Sequence, residues 1–140
     1  MRAWVYDPHS GGIKIPAHMK DRIRERILKY AEKHFSGKYT RIDVRFRGKF
    51  CYIDAHTEAF VPDGWPPAGF PESCEEYIKR LRTTPVHLCR LRYSGDEESW
   101  SFAVYIYSHE KYEPASFADG NLKGPPEQAF DLAAGLFLQE

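Results

Sequence analysis

The clearest alternation of apolar and charged positions in the chain lies between residues 40 and 56, which read TRIDVRFRGKFCYIDAH. An alternation with a period of two is typical of a strand that buries one face. The Gly48-Lys49 pair interrupts it and suits a two-residue turn. The pattern therefore predicts a β-hairpin. Three facing pairs are expected on its core side, Phe46–Cys51, Val44–Ile53 and Ile42–Ala55, and three on its other side, Arg45–Tyr52, Asp43–Asp54 and Arg41–His56. A slip of one residue would move every apolar side chain to the wrong face.

Helical periodicity predicts three helices. The first runs from about Pro16 to Phe35, with an apolar stripe at Met19, Ile23, Ile27 and Ala31. The second begins at Ser73, because Ser73 and Glu76 have the spacing of a capping box. The last covers about residues 128–138 and is apolar nearly all round, which is typical of a helix that is buried or meets a partner. Two-fold homodimers are the commonest oligomers, so we expect a homodimer through apolar surface such as this helix.

Short runs rich in β-branched and aromatic residues predict the remaining strands. They cover residues 86–93 and 100–108, an edge strand at 112–117 that contains Pro114, and a short strand at 2–6. Residues 57–72 are too rich in proline for a helix or a central strand, so we expect a loop there, which carries Trp65. The expected fold class is α+β: one domain over residues 1–140, with a mainly antiparallel sheet of about five strands and helices packed on one face.

Composition and charge narrow the function classes. Lysine plus arginine and aspartate plus glutamate number 20 each, so no overall field steers the chain to nucleic acid or to an anionic membrane. A role of that kind would need a local basic patch. The three widely spaced cysteines predict free thiols in a reducing compartment, and neither a secretory signal nor a membrane span is recognisable. We therefore expect a cytoplasmic protein that does not contact membranes.

Several longer stretches resemble a group of short prokaryotic hypothetical proteins of unknown function. They are YDPHSGGIKIP, AEKHFSGKYTRIDVRFRGKFCYIDAHTE, TPVHLCRLRYSGDEESWSFAVYIYSHEKYEP and PEQAFDL. The resemblance covers most of the chain. It implies a single domain and a prokaryotic origin, and it brings no activity, cofactor or catalytic residue with it.

The open face of the predicted sheet is the first candidate for a binding surface. It should carry arginines and tyrosines, which suit anionic and planar ligands because arginine forms fork-shaped hydrogen bonds to phosphate and tyrosine stacks on bases. The candidate ligand-binding residues are Arg41, Arg45, Arg47, Tyr52, Arg90, Arg92, Tyr105 and Tyr107, with Trp65 in the loop as a possible gate. The alternative is that this face binds no ligand, contacts only solvent and is stabilised by cross-strand pairs of its side chains. The favoured function is a non-catalytic binding or interaction module for an anionic or nucleotide-like ligand, with nucleic acid among the partners considered.

The facing carboxylates of Asp43 and Asp54 are the second candidate. Like charges directly opposite each other repel unless arginine, a proton or a divalent cation compensates them. With His56 nearby, the alternative function is a metal-dependent phosphodiesterase or nuclease centred on Asp43, Asp54 and His56. The spacing matches no specific metal motif, and nucleotide-fold and serine-hydrolase signatures are absent from the sequence. No cofactor is therefore predicted outside this alternative, and a purely structural role as a subunit of a larger assembly is the third hypothesis.

Overall fold

The computed structural model describes residues 12–58, 63–65 and 67–138. The elements in these ranges are α1 (Ala17–Phe35), β1 (Arg41–Arg47), β2 (Phe50–His56), α2 (Cys74–Thr83), β3 (Val86–Tyr93), β4 (Trp100–Ile106), β5 (Lys111–Ala115), β6 (Lys123–Gly124) and α3 (Pro126–Phe137). The strands form one antiparallel sheet in the order β1-β2-β3-β4-β5, and β6 adds to β4. The α+β prediction is confirmed. The predicted strand at 2–6 lies outside the described residues.

The predicted hairpin register is confirmed at every pair. Val44 faces Ile53 and Asp43 faces Asp54, with Gly48 and Lys49 between the strands. Gly48 has a φ of 60°, a left-handed conformation that glycine adopts without the steric cost of a side chain. The turn and the apolar alternation therefore specify the same register.

A β-bulge between β2 and β3 changes what faces the second half of β2. Ile53 pairs with Cys89, but the next residue, Asp54, pairs with His87. Leu88 is therefore the extra residue of the bulge, and it is buried in the core. Without the bulge, simple alternation would have placed Leu88 opposite Asp54. The bulge thus brings a histidine to the buried carboxylate.

The hydrophobic core lies between one face of the sheet and the helices α1 and α3. The stripe predicted on α1 is buried along its whole length, from Met19 to Ala31. Helix α3 contributes Phe130, whose ring packs edge-on against Phe35 of α1 at 5.7 Å between centroids. Both helices contact the sheet and each other. The opposite face of the sheet is consequently the one on which the polar side chains of the hairpin lie.

The charged side of α1 is attached to the rest of the domain by long-range ion pairs. Arg26 donates hydrogen bonds to Glu127 at 2.6 and 2.7 Å and to Glu98 at 2.7 Å, and Arg22 pairs with Glu97 at 2.6 Å. Within the helix, Lys29 pairs with Glu25 on the preceding turn. The larger cluster links α1 to the β3–β4 turn and to α3, which periodicity alone does not indicate.

Helix α2 connects β2 to β3 and has no fully buried residue. Its predicted capping box is confirmed: Glu76 N–H donates to the Ser73 hydroxyl at 3.1 Å, and Ser73 N–H donates to the Glu76 carboxylate at 2.9 Å. Tyr77 on this helix contacts Trp65 and Phe70 with ring centroids 5.3 and 5.8 Å away. The described part of the proline-rich loop therefore packs its aromatic side chains against α2.

Strand β6 is an element that the sequence pattern did not predict. Gly124 pairs with Trp100 of β4 and lies so close to Phe117 that an added Cβ would come within 2.9 Å of the ring. Only glycine fits this approach without displacing the phenylalanine. The strand leads directly into α3.

Candidate functional site

The two facing aspartates lie at the centre of the polar face, and the structure gives each of them its own cationic partner. Asp54 is only 3% exposed. One of its carboxylate oxygens accepts a hydrogen bond from Arg45 Nη2 at 2.8 Å, and the other lies 2.9 Å from His87 Nδ1. The oxygen can only accept, so His87 Nδ1 carries a proton in this contact. Both oxygens of this buried charge are thus satisfied from neighbouring strands.

Asp43 is compensated in the same manner at the edge of the sheet. Arg41 Nε donates to one carboxylate oxygen at 2.9 Å, and His56 Nε2 lies 3.1 Å from the other. Burial acts to raise the pKa of Asp43, but hydrogen bonds from Arg41 and His56 outweigh it and hold the pKa below its ordinary range. His56 is oriented by the carbonyl oxygen of Arg82, 3.3 Å from its Nδ1. The pairing explains how two carboxylates tolerate direct opposition.

This arrangement bears on the predicted metal site. The carboxylate oxygens of Asp43 and Asp54 are directed to arginine and histidine partners on β1, β2 and β3. No group of three or more histidine, cysteine, aspartate or glutamate residues in the described ranges is placed to hold a metal ion together. The three proposed ligands, His56 included, do not form such a group, and the metal-dependent alternative stays a prediction.

A continuous track of aromatic rings crosses the same face of the sheet. The successive centroid separations are 6.0 Å from Phe50 to Tyr52, 5.8 Å from Tyr52 to Tyr112, 5.1 Å from Tyr112 to Tyr105, and 4.7 Å from Tyr105 to Tyr107. These distances lie in the range in which aromatic pairs stabilise each other. Its rings come from β2, β4 and β5 and from Tyr107 just after β4, and they meet because β3 pairs with both β2 and β4 and β5 pairs with β4.

Arginine side chains lie over this track. The guanidinium carbon of Arg45 is 5.2 Å from the centre of the Tyr52 ring. Arg90 lies between Phe50, at 4.2 Å, and Tyr112, at 5.2 Å, and is only 7% exposed. Contacts of this geometry are attractive cation–π interactions. Arg90 therefore supports the aromatic track from within, whereas Arg45 is on its surface. Arg92 is half-buried and faces Ser101 across the β3–β4 ladder.

A pocket of about 490 Å³ opens where the arginines and the aromatic track meet. It is lined by Arg45, Phe46, Arg47, Tyr52, His87, Tyr105 and Tyr112. We call it the arginine–tyrosine pocket. Burial raises the pKa of Tyr112, and the nearby charge of Asp54 raises it further, so this ring stays a neutral phenol. Four of the predicted ligand-binding residues, Arg45, Arg47, Tyr52 and Tyr105, line this one pocket.

Arg47 differs from the other arginines of the hairpin. Arg41 and Arg45 are engaged with aspartates. Arg47 is exposed, and it has no hydrogen bond, ion pair or ring contact within the described part of the chain. Its guanidinium therefore keeps all its donors available at the rim of the pocket.

The remaining predicted residues lie elsewhere. The Trp65 ring contacts Phe70 and Tyr77 beside α2, and it is not among the residues that line the arginine–tyrosine pocket. The Tyr107 hydroxyl accepts the backbone N–H of His87 at 2.8 Å, and its ring packs on Phe137 of α3. Tyr107 thus ends the aromatic track at the border of the sheet, outside the pocket.

Sequence reasoning missed three residues of the pocket, which are Phe46, His87 and Tyr112. Phe46 is expected on the core side of the hairpin, and its half-buried ring also lines the pocket. Tyr112 was placed in an edge strand, but its position opposite Tyr105 depends on the register of β4 with β5. His87 lies in the strand predicted over residues 86–93, but the bulge that turns it to Asp54 has no signature in the sequence. Alternation along the edge strand places Tyr112 and Pro114 on one face and Glu113 on the other, and this was the sequence pattern from which the position of Tyr112 could have been predicted.

The buried cysteines are not candidates for nucleophilic chemistry. Cys51 and Cys89 are fully buried and free. Burial raises the pKa of both thiols well above the ordinary range, which removes the reactive thiolate. Cys74 on α2 is half-exposed and also free. The prediction of free thiols is confirmed.

Comparison of the chain with protein-family models, with curated proteins and with solved structures found no match in any of the three. Helices α1, α2 and α3, which are those in the described ranges, each lack the length or the apolar character needed to cross a membrane.

Proposed function

We propose that this domain is a binding module that takes a small anionic ligand with a planar ring, of the nucleotide type, in the arginine–tyrosine pocket. The observation that carries the proposal is the position of Arg47, whose guanidinium is unpaired in the described part of the chain, on a pocket lined by three tyrosine rings. A volume of about 490 Å³ lies within the usual range of small-molecule sites.

The chemistry of the lining supports an anion joined to a ring. Arginine binds phosphate through two parallel N–H donors. Because it is more weakly hydrated than lysine, binding costs less desolvation free energy. Each base that stacks on an aromatic side chain contributes about 1–3 kcal/mol. The Tyr112 ring contacts those of Tyr52 and Tyr105 edge to face, so the three rings are already held in place. The surface is therefore ordered before a ligand arrives, and binding costs little conformational entropy of the protein.

The buried Asp54 does not oppose an anion at this site. Its charge is offset by Arg45 at 2.8 Å and by the Nδ1 proton of His87 at 2.9 Å. The Asp43 charge is likewise offset by Arg41. The cation that remains without an acidic partner among the described lining residues is Arg47, and it gives the pocket its positive character.

Isothermal titration calorimetry with adenosine 5′-monophosphate, and with adenosine as the uncharged comparison, tests the proposal. We expect the nucleotide to bind and Arg47→Ala to weaken it about 10-fold or more, because a hydrogen bond to a charged group is worth about 1.5–3 kcal/mol. Lys33→Ala is the matched control, since Lys33 is an exposed cation on α1, away from the pocket. Equal affinities of Arg47→Ala and the wild type, or no binding of the nucleotide by the wild type, would overturn the proposal.

A further inference from the structure

A second cavity adjoins the arginine–tyrosine pocket and shares part of its wall. It measures about 480 Å³ and is lined by Gly12, Ile13, Lys14, Arg47, Gly48, Lys49, Phe50 and Tyr52. Arg47 and Tyr52 line both cavities. We call the second one the turn cavity, because the hairpin turn forms its floor. The two cavities are therefore neighbours with Arg47 and Tyr52 as their common boundary, and we refer to the pair of cavities as the groove.

The outer wall of the turn cavity is held by backbone hydrogen bonds. Ile13 N–H donates to the carbonyl oxygen of Tyr93, and Ile15 N–H donates to that of Gly48, both at 2.9 Å. Gly12 has a φ of 83°, and a Cβ at this position would lie 2.7 Å from the carbonyl oxygen of Tyr93. The segment is therefore seated against the ends of β3 and the hairpin. It forms a fixed wall for a ligand.

The aromatic track passes through both cavities. Phe50 lines the turn cavity, Tyr105 lines the arginine–tyrosine pocket, and Tyr52 belongs to both. The ring centres of Phe50 and Tyr52 are 6.0 Å apart, and those of Tyr52 and Tyr112 are 5.8 Å apart. Each cavity thus has aromatic surface of its own against which one base can stack.

The cations are spaced along the same groove. Arg47 lies at the boundary, and Lys14 lines the turn cavity; neither has a hydrogen bond or ion pair within the described ranges. The ammonium of Lys49 lies 5.3 Å from the centre of the Phe50 ring. A ligand with one base uses one cavity and makes no contact with Lys14 in the other. A ligand with two bases and a phosphate between them matches the order of the groove, which is an aromatic side chain, a cation and a second aromatic side chain.

We propose that the groove binds a dinucleotide unit of single-stranded nucleic acid, with one base in each cavity and the linking phosphate at Arg47. This inference rests on the proposed function and names its ligand class more closely. Arginine at the boundary pairs with the phosphodiester through its fork of donors. Lys14 is then placed for a second phosphate at the end of the unit that lies in the turn cavity.

The experiment compares adenosine 5′-monophosphate with the 5′-phosphorylated adenylyl dinucleotide by calorimetry at one salt concentration, since such affinities depend on salt. We expect the dinucleotide to bind at least about 5-fold more tightly, because it stacks a second base on an aromatic side chain. Phe50→Ala should remove the part of the dinucleotide's advantage that comes from the second stacked base and leave the mononucleotide unchanged. Tyr105→Ala should weaken both ligands, because its ring lies in the pocket that both occupy.

Phe50 also contacts the buried Arg90, so a second variant keeps the result interpretable if Phe50→Ala unfolds. Lys14→Ala changes an exposed residue of the turn cavity and should weaken the dinucleotide alone. Equal affinities of the two ligands for the wild type, or equal losses for both ligands in Phe50→Ala and Lys14→Ala, would overturn the inference and leave the proposed function in place. Failure of the wild type to bind the mononucleotide would instead overturn the proposed function.

Discussion

Replacing the arginine that balances the buried Asp54 tests how this hairpin tolerates two facing carboxylates. Arg45→Met keeps most of the aliphatic stem and removes the guanidinium. Asp54 then retains only His87 as a partner while staying 3% exposed. A buried carboxylate that loses a partner keeps its desolvation cost without the compensating hydrogen bond. The variant is therefore expected to be less stable than the wild type.

The expected loss follows from the geometry of the pair. Arg45 Nη2 lies 2.8 Å from Asp54 Oδ2, and the arginine side chain is 56% exposed against 4% for the aspartate. Breaking a fully buried pair costs about 3–5 kcal/mol, and a hydrogen bond to a charged group contributes about 1.5–3 kcal/mol. Solvent screens the exposed arginine, so we expect a loss of about 2 kcal/mol. For a domain of this size that lowers Tm by roughly 6 °C.

Urea unfolding of four proteins measures this loss: the wild type, Arg45→Met, Asp54→Asn and the double variant. The double variant should recover at least half of the loss, because no buried charge remains without its partner. Arg47→Met is the matched control, since Arg47 is on the same strand face without a partner in the described ranges, and it should change stability by less than about 0.5 kcal/mol. Equal losses for Arg45→Met and Arg47→Met would refute the explanation by arginine compensation. A rise of the wild-type Tm with Mn²⁺ that Asp54→Asn removes would favour the metal alternative instead.

Three further predictions concern acid stability, thiol reactivity and assembly. Burial raises and hydrogen bonding lowers the pKa of Asp43, and the net result lies below its ordinary value of 3.8. The ionised Asp43 therefore contributes fully to stability above about pH 5, and this contribution is lost as the pH falls through the folded-state pKa. Urea midpoints measured between about pH 5 and pH 2 should consequently fall more steeply for the wild type than for Asp43→Asn. Iodoacetamide should modify Cys74 in the native protein but Cys51 and Cys89 only after unfolding, as counted by mass spectrometry; equal rates for all three would contradict the burial. Leu136 on α3 is 66% exposed, and in the predicted homodimer Leu136→Asp should reduce the mass measured by light scattering from two chains to one, whereas a monomeric wild type would rule the dimer out.

Local patterns were sufficient for the three helices and for the strands of the described residues other than β6. The stripe from Met19 to Ala31 marked the buried side of α1, and the alternation around Gly48 gave the register of the first hairpin pair by pair. The capping box at Ser73 marked the start of α2. In each case the residues that decide the structure are close in sequence, so period and turn chemistry determine the result. The conflict between Asp43 and Asp54 could be found for the same reason.

Part of what resolves that conflict lies within the hairpin itself, where Arg45 pairs with Asp54 and Arg41 with Asp43. The rest is decided by contacts between distant parts of the chain. His87 reaches Asp54 because a bulge shifts β3 by one residue, and Tyr112 joins the pocket because β5 pairs with β4. The boundary between the two cavities depends on how the segment beginning at Gly12 packs on the hairpin turn. Periodicity along the chain assigns a side chain to a face, but it does not specify which strand lies beside it or where a ladder is interrupted. The sequence by itself therefore determined the helices, the hairpin and its two chemically different faces, whereas only the tertiary structure decided which arginine, histidine and tyrosine side chains share one pocket.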